Sequence, residues 1–185
     1  ARYYVTGLFN NYLPKTLLYH NLHHTLNVVE KCYELGKSYR LKYVDMETLL
    51  LAAWFHDTGY CLNAINHEEE SVKIAFIFLN EFEVTTDYRS TVENLILATK
   101  YPAKPMTLAE EILCDADLHH LGSEDYFETS MLLKQEFELK IGRQFSKEEW
   151  NRENISFFNS HHYFTDYARS HWGTQKLKNL AQLMK

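Results

Sequence analysis

A histidine and an aspartate stand side by side, His56-Asp57, at the end of the apolar run from Leu49 to Phe55. If that run is buried, an imidazole and a carboxylate lose their hydration together, and a bound metal would compensate both. Further nitrogen and oxygen donors flank the pair, His20 and His24 before it, Asp115 and Asp117 after it. Three or four such donors drawn from separate segments can gather one divalent ion. The chemistry to look for is therefore that of a metal site.

Each donor also has a plainer reading. On a helix, His20 and His24 lie four apart and share a side, with His23 displaced toward a neighbouring face. The stripe Leu26, Val28, Val29, Cys32, Leu35 then puts His24 near the buried side. Alone, this would be a histidine-rich helix start with solvated or hydrogen-bonded rings; beside the doublet, ligation is favoured. Asp57 could cap the turn at Thr58-Gly59 while His56 bonds a carbonyl, but capping accounts only for the aspartate. Asp115 and Asp117 are two apart, point in separate directions and cannot share one role. Ile112, Leu113, Ala116, His120 and Leu121 define an apolar face that brings Asp117 and His120 close at i,i+3, and a solvated acidic face weighs evenly for Asp115. In Asn66-His67-Glu68-Glu69-Glu70-Ser71 the acids suit the positive end of a helix dipole. His67 or Glu68 could also reach a water at the site, while at least one glutamate is plain surface.

The elements that must position these residues are helical nearly throughout, since no run alternates convincingly with period two. The pattern predicts helices at about 2–12, 20–38, 45–57, 67–82, 87–100, 108–120, 123–141, 147–167 and 170–183. Thr107 with Glu110 and Ser146 with Glu149 fit capping boxes, and Asp45 and Ser123 are candidate N-caps. Gly59, Gly122 and Gly142 each follow a helical pattern and suit a left-handed terminating residue. The prolines in Tyr101-Pro-Ala-Lys-Pro105 mark the clearest break. At 185 residues, 45% of them hydrophobic, the chain is expected to be one all-α domain, a single helical bundle with its own core.

A formal net charge of −6 argues against a surface that coats nucleic acid, though a metal could still bring in a nucleotide. Cys32, Cys61 and Cys114 are odd in number and widely spaced, the pattern of a reduced, intracellular protein, so a cytoplasmic location is expected. No apolar run is long enough to span a bilayer, and no signal peptide is visible.

Tyr19-His20-Asn21 with His24, then His56-Asp57, then Asp117 in Ala-Asp-Leu-His-His-Leu-Gly together resemble the HD-domain superfamily of metal-dependent phosphohydrolases. Leu51-Ala-Ala-Trp-Phe-His-Asp, the Asn-His-Glu-Glu-Glu-Ser segment, Leu97-Ala-Thr-Lys100 and Asp115-Ala-Asp-Leu look like its bacterial branch of predicted HD phosphohydrolases. The dipeptide alone is a weak signal; the ordered set is strong. The likeness runs from about residue 15 to 122, which would form the metal-binding core, with C-terminal helices at about 123–185 packing on it. It implies a bundle of the HD/phosphodiesterase-like type.

By that resemblance His24, His56, Asp57 and Asp117 would hold one divalent transition metal, with Asp117 rather than Asp115 in the final ligand position. The ion would polarise a phosphoryl oxygen and lower the pKa of its water toward ~7. His20 matches the position that, in cyclic-nucleotide phosphodiesterases of this fold, serves as general acid. Glu68 or His67 would orient the attacking water or move a proton. Asn21, Lys100, His119 and His120 are the candidate substrate contacts. Iron, manganese, zinc, nickel or cobalt suits the ligand set, with magnesium at a weaker second site. In one respect the chain departs from the pattern: His67 is the only histidine between the doublet and Asp117, where members with two metals supply more. That counts against a binuclear centre and against an oxygenase resembling myo-inositol oxygenase.

The resulting expectation is hydrolysis of a small phosphoester, a nucleotide or cyclic nucleotide by analogy, with no nucleic-acid duplex as partner and homo-oligomerisation open. The competing expectation is a nucleotide- or metal-sensing domain of little turnover that regulates a domain outside these residues. Trp150, Phe157, Phe158, Tyr163, Phe164 and Trp172 read as core or packing residues. Ser160-His161-His162-Tyr163 could sit near a site mouth, and Lys176-Leu-Lys178 reads as a solvated face.

Overall fold

A helix leaves its first amides without backbone partners, and in this chain short polar side chains meet them at several starts. The computed structural model describes residues 1–62 and 65–185, and every regular element among them is helical. The order is α1 (Arg2–Tyr12), α2 (Leu22–Ser38), α3 (Tyr43–Phe55), a 3-10 turn (Thr58–Cys61), α4 (His67–Leu79), α5 (Thr86–Ala98) and α6 (Leu108–Asp117). A second 3-10 turn (His119–Gly122), α7 (Tyr126–Ile141), α8 (Lys147–Ser160) and α9 (Asp166–Leu183) follow. Asn21 caps α2, Thr85 caps α5 and Thr165 caps α9, while Ser146 and Glu149 close a full capping box on α8.

By contact the chain divides into two compact units. The first comprises residues 1–14 and 20–117, the second residues 15–19 and 118–185. In the first, α3 is the central helix, packing with α2, α5, α6 and α4. Its Leu49, Ala52, Ala53 and Phe55 have no solvent exposure, as the apolar run requires of a helix contacted on several sides. Leu35, Leu95, Ile96, Ile112 and Leu113 complete that core. In the second unit Leu121, Tyr126, Phe158 and Leu183 form the centre of another core. There α9 holds the 3-10 turn by Asn179, whose amide donates to the carbonyls of Leu121 and Ser123 at 3.0 and 2.8 Å.

Several boundaries fall differently from the sequence expectation. The helix expected over 147–167 stops at Ser160, because His161 is extended and Thr165 starts α9 by accepting the Ala168 amide. The helix expected over 108–120 ends at Asp117, and the chain tightens into the 3-10 turn after Leu118. Asp45 lies in the first turn of α3 with Lys42 as N-cap, and Ser123 precedes the α7 N-cap, Asp125. Thr107 accepts the Glu110 amide as a box requires, but the Glu110 carboxylate takes the amide of Met106, not that of Thr107. Gly142 is left-handed, with φ 66°, whereas Gly59 and Gly122 have ordinary backbone angles and serve close packing instead. A Cβ on Gly59 would lie 1.9 Å from the His67 carbonyl oxygen, and one on Gly122 2.6 Å from that of Trp172.

Candidate metal centre

The donors sit where two helices of the first unit end. His56 is the C-cap of α3, Asp57 follows it, and Asp117 is the last residue of α6. Helix C-termini carry roughly half a negative elementary charge each, so the junction already favours a cation. His24 comes from the first turn of α2, where Asn21 accepts the amides of His23 and His24 at 2.8 and 3.3 Å. The Asn21 side-chain oxygen, expected among substrate contacts, is thus engaged in starting the helix that carries His24.

His24, His56 and Asp117 each offer one donor atom, all within 4.8 Å of one another. His24 Nε2 lies 3.0 Å from Asp117 Oδ1 and 3.4 Å from His56 Nε2. Asp57 Oδ2 lies 3.3 Å from His24 Nε2 and 3.2 Å from His56 Nε2. Donors bound to one ion at about 2.0–2.2 Å are separated by roughly 3–3.5 Å, so these spacings match the edges of a coordination polyhedron. His24, His56 and Asp57 are buried, while the Asp117 side chain keeps 22% exposure, which marks the cluster's open side.

Two details fit a cation better than a purely structural polar cluster. The His56 ring donates Nδ1–H to the Ala53 carbonyl at 2.8 Å, so in the neutral ring the Nε2 lone pair faces the other donors. That backbone anchor is the usual partner of a metal-binding imidazole. The carbonyl bond weighed as an alternative for His56 is thus present, and it is compatible with ligation through the other nitrogen. The second detail is Asp57 Oδ2, a buried oxygen with no hydrogen-bond partner, which a cation would satisfy.

The charges are strongly interdependent. Burial disfavours the Asp57 carboxylate, but His56 and His24 outweigh it and hold the group well below the usual carboxylate range. Burial likewise disfavours the His56 imidazolium, and Asp57 and Asp117 outweigh it, raising its pKa well above the ordinary value. His24 is raised in the same way. A depressed carboxylate stabilises the fold above its unfolded pKa, about 4, and loses that contribution as pH falls through the lowered value. A raised histidine stabilises below about 6.5 and loses it as pH rises through the raised value. The metal-free cluster therefore contributes most between about pH 4 and 6.5. A cation needs the Nε2 lone pairs, so its binding displaces protons. Calorimetric titration of zinc or manganese into metal-free protein, in buffers of different ionisation enthalpy, is expected to show proton release. Affinity should weaken on acidification from pH 7.5 to 6, roughly tenfold per unit for each proton displaced; a pH-independent affinity would exclude ligation through these imidazoles.

His67, the first residue of α4, places Nε2 3.8 Å from Asp57 Oδ1 and Nδ1 3.5 Å from the Glu68 carboxylate. Burial lowers its pKa against the pull of Asp57 and Glu68, leaving the ring neutral near pH 7. Glu68 is buried, while Glu69 pairs with Lys100 at the surface, where at least one of the three glutamates was expected. The His20 ring meets His24 edge-on at 5.9 Å and stacks on Tyr60 at 4.5 Å; the other face of Tyr60 stacks on His67 at 4.0 Å. Sequence reasoning passed over Tyr60, whose only signal was an aromatic residue three positions after Asp57. Asp115 is fully buried and stands outside the His24, His56, Asp117 group.

His119 and His120 belong to the second unit. His120 Nδ1 is 2.9 Å from the Tyr19 hydroxyl, and His119 meets Trp172 edge-on. His161 is part-buried there, with its pKa pushed down to about 3 by burial and by Lys176. Lys176 donates to the His161 carbonyl at 2.5 Å, so that lysine is not merely a solvated face. No helix among the described residues is long and apolar enough to cross a membrane.

A family model, that of the HD domain, matches residues 21–122. That span contains all four cluster residues. No curated protein matches the chain.

Proposed function

The chain belongs to the HD-domain family, and from that membership we propose that it hydrolyses a small phosphoester with a metal-activated water. The observation that supports this most is the donor cluster of His24, His56, Asp57 and Asp117, in which one buried carboxylate oxygen accepts no hydrogen bond. A divalent transition ion held there would act as a Lewis acid on the phosphoryl group and lower the pKa of water to about 7. With nitrogen and oxygen donors, iron, manganese, zinc, nickel or cobalt suits the site, magnesium only a weaker second one.

The remaining roles follow from position and protonation. His67, neutral near pH 7 and 3.8 Å from Asp57, can accept a proton from the attacking water. Glu68, with its carboxylate 3.5 Å from the other nitrogen, favours the positive charge that the ring takes up with that proton. His20, with its ring against His24, donates a proton to the leaving oxygen. Lys100 and the Asn21 amide group, both in the first unit, are the groups we assign to substrate contact. A nucleotide or cyclic nucleotide is the substrate class we favour, by analogy with the family.

The leaving group tests this assignment. His20→Asn is expected to lower kcat on nucleoside monophosphates, whose alkoxide must be protonated as it departs, by about 10²–10³-fold. On p-nitrophenyl phosphate, whose leaving group departs without a proton, the loss should be at least about tenfold smaller, with metal content unchanged. Equal losses on both substrates would remove His20 from the acid role. If the wild type binds nucleotides yet hydrolyses none with any of these metals, the domain is a sensor and the enzyme reading falls.

A further inference from the structure

Of the residues around the cluster, Tyr60 has the most specific placement without a role. It lies in the 3-10 turn after Asp57, and its amide donates to the Asp57 carbonyl at 3.1 Å. The turn is pinned to α4 from two directions: the Gly59 amide donates to Ser71 Oγ at 2.8 Å, and Ser71 Oγ donates to the His56 carbonyl at 2.6 Å. Tyr60 thus projects from a firmly docked segment. One face lies on His67, centroids 4.0 Å apart and planes 18° from parallel; the other lies on His20, at 4.5 Å and 29°.

The two rings it separates both lie where a helix begins. His20 precedes the α2 N-cap, so no helical hydrogen bond fixes its backbone, and His67 is the first residue of α4. Neither backbone alone fixes the direction of an imidazole, whereas a plane against its face restricts rotation of the ring. A chain of ring contacts results, from His67 through Tyr60 and His20 to His24 and His56.

We infer that Tyr60 is a positioning residue, holding on its two faces the imidazole that donates the proton and the one that accepts it. The inference rests on the roles proposed above for His20 and His67. A side chain that only filled space could be any apolar group of similar size, whereas a flat clamp requires an aromatic plane and has no need of the hydroxyl.

The test compares Tyr60→Leu with Tyr60→Phe in the zinc-loaded protein. In Tyr60→Leu, kcat on a nucleoside monophosphate should fall about 10²-fold, the cost of a misplaced reacting group, with KM and zinc content nearly unchanged. Tyr60→Phe should restore kcat to within about threefold of the wild type. Proton NMR supplies a second readout independent of turnover. The ring protons of His20 and His67 should be shifted upfield by the aromatic current in the wild type and Tyr60→Phe, and lose that shift in Tyr60→Leu. Unchanged shifts in Tyr60→Leu would overturn the clamp, and a loss in Tyr60→Phe equal to that in Tyr60→Leu would transfer the role to the hydroxyl. If the wild type hydrolyses no phosphoester, the functional reading fails by itself, and the NMR comparison still decides whether the two imidazoles stack on Tyr60.

Discussion

Asp57→Ala, purified without added metal, is expected to contain no bound transition ion where the wild type holds about one per chain, and turnover should fall by at least about 10³-fold. Asp57 Oδ2 is a buried carboxylate oxygen for which the protein offers no hydrogen bond, beside both ring nitrogens of the cluster. Removing it deletes a donor and leaves a gap that water would occupy. The metal-free fold should weaken, because Asp57 also pairs with His24 and His56, and truncating one partner leaves a buried charge less compensated. Metal-free Asp57→Ala is therefore expected to unfold about 3 kcal/mol below metal-free wild type yet in one cooperative transition, and that cooperativity separates loss of the site from loss of structure. Elemental analysis per chain and urea unfolding are the two measurements. Retention of the ion by Asp57→Ala would end the four-ligand assignment, and two ions in the wild type would revive a binuclear centre despite the few histidines.

Gly59→Ala should destabilise the protein by about 3 kcal/mol, a large effect for one added methyl group. The new Cβ would lie 1.9 Å from the His67 carbonyl oxygen, 2.7 Å from its carbon and 2.8 Å from the Ser71 amide nitrogen. All three are backbone atoms at the start of α4, so no side chain can swing aside. Accommodation requires the turn and α4 to separate, which strains the hydrogen bond from Gly59 to Ser71 and carries His67 away from Asp57. Urea unfolding at saturating zinc measures the loss. A Gly59→Ala protein within about 0.5 kcal/mol of the wild type would show that the contact relaxes freely.

How far the fold could be read from the sequence varies by element. The limits of α1 were legible because the periodicity is clean, and Ser146 with Glu149 announced α8. The end of α8 was not, because Phe157, Tyr163 and Phe164 continue an apolar rhythm past the break, and Thr165 caps α9 without a capping box. At the site, ligand chemistry narrowed the candidates to histidines and aspartates, and only the resemblance to HD domains singled out His24, His56, Asp57 and Asp117 among them. The two faces of Tyr60 could not, since stacking depends on which distant rings the fold brings together. Lys100 illustrates the same limit. Its charge is visible in the sequence, but its pairing with Glu69, 31 residues away, is a tertiary fact.

The occupied faces of Tyr60 also bear on selectivity. An aromatic ring in a turn beside a phosphoester site is an obvious platform for a purine or pyrimidine, and stacking of that kind tells bases apart only weakly. Here both faces are covered by the protein's own imidazoles, so Tyr60 has no surface left to offer a base. Discrimination among nucleotides must then come from hydrogen bonds to base edges or from rings elsewhere in the chain. Where neither engages, the chain would accept phosphoesters by their phosphate and leaving oxygen, with the organic group largely unread.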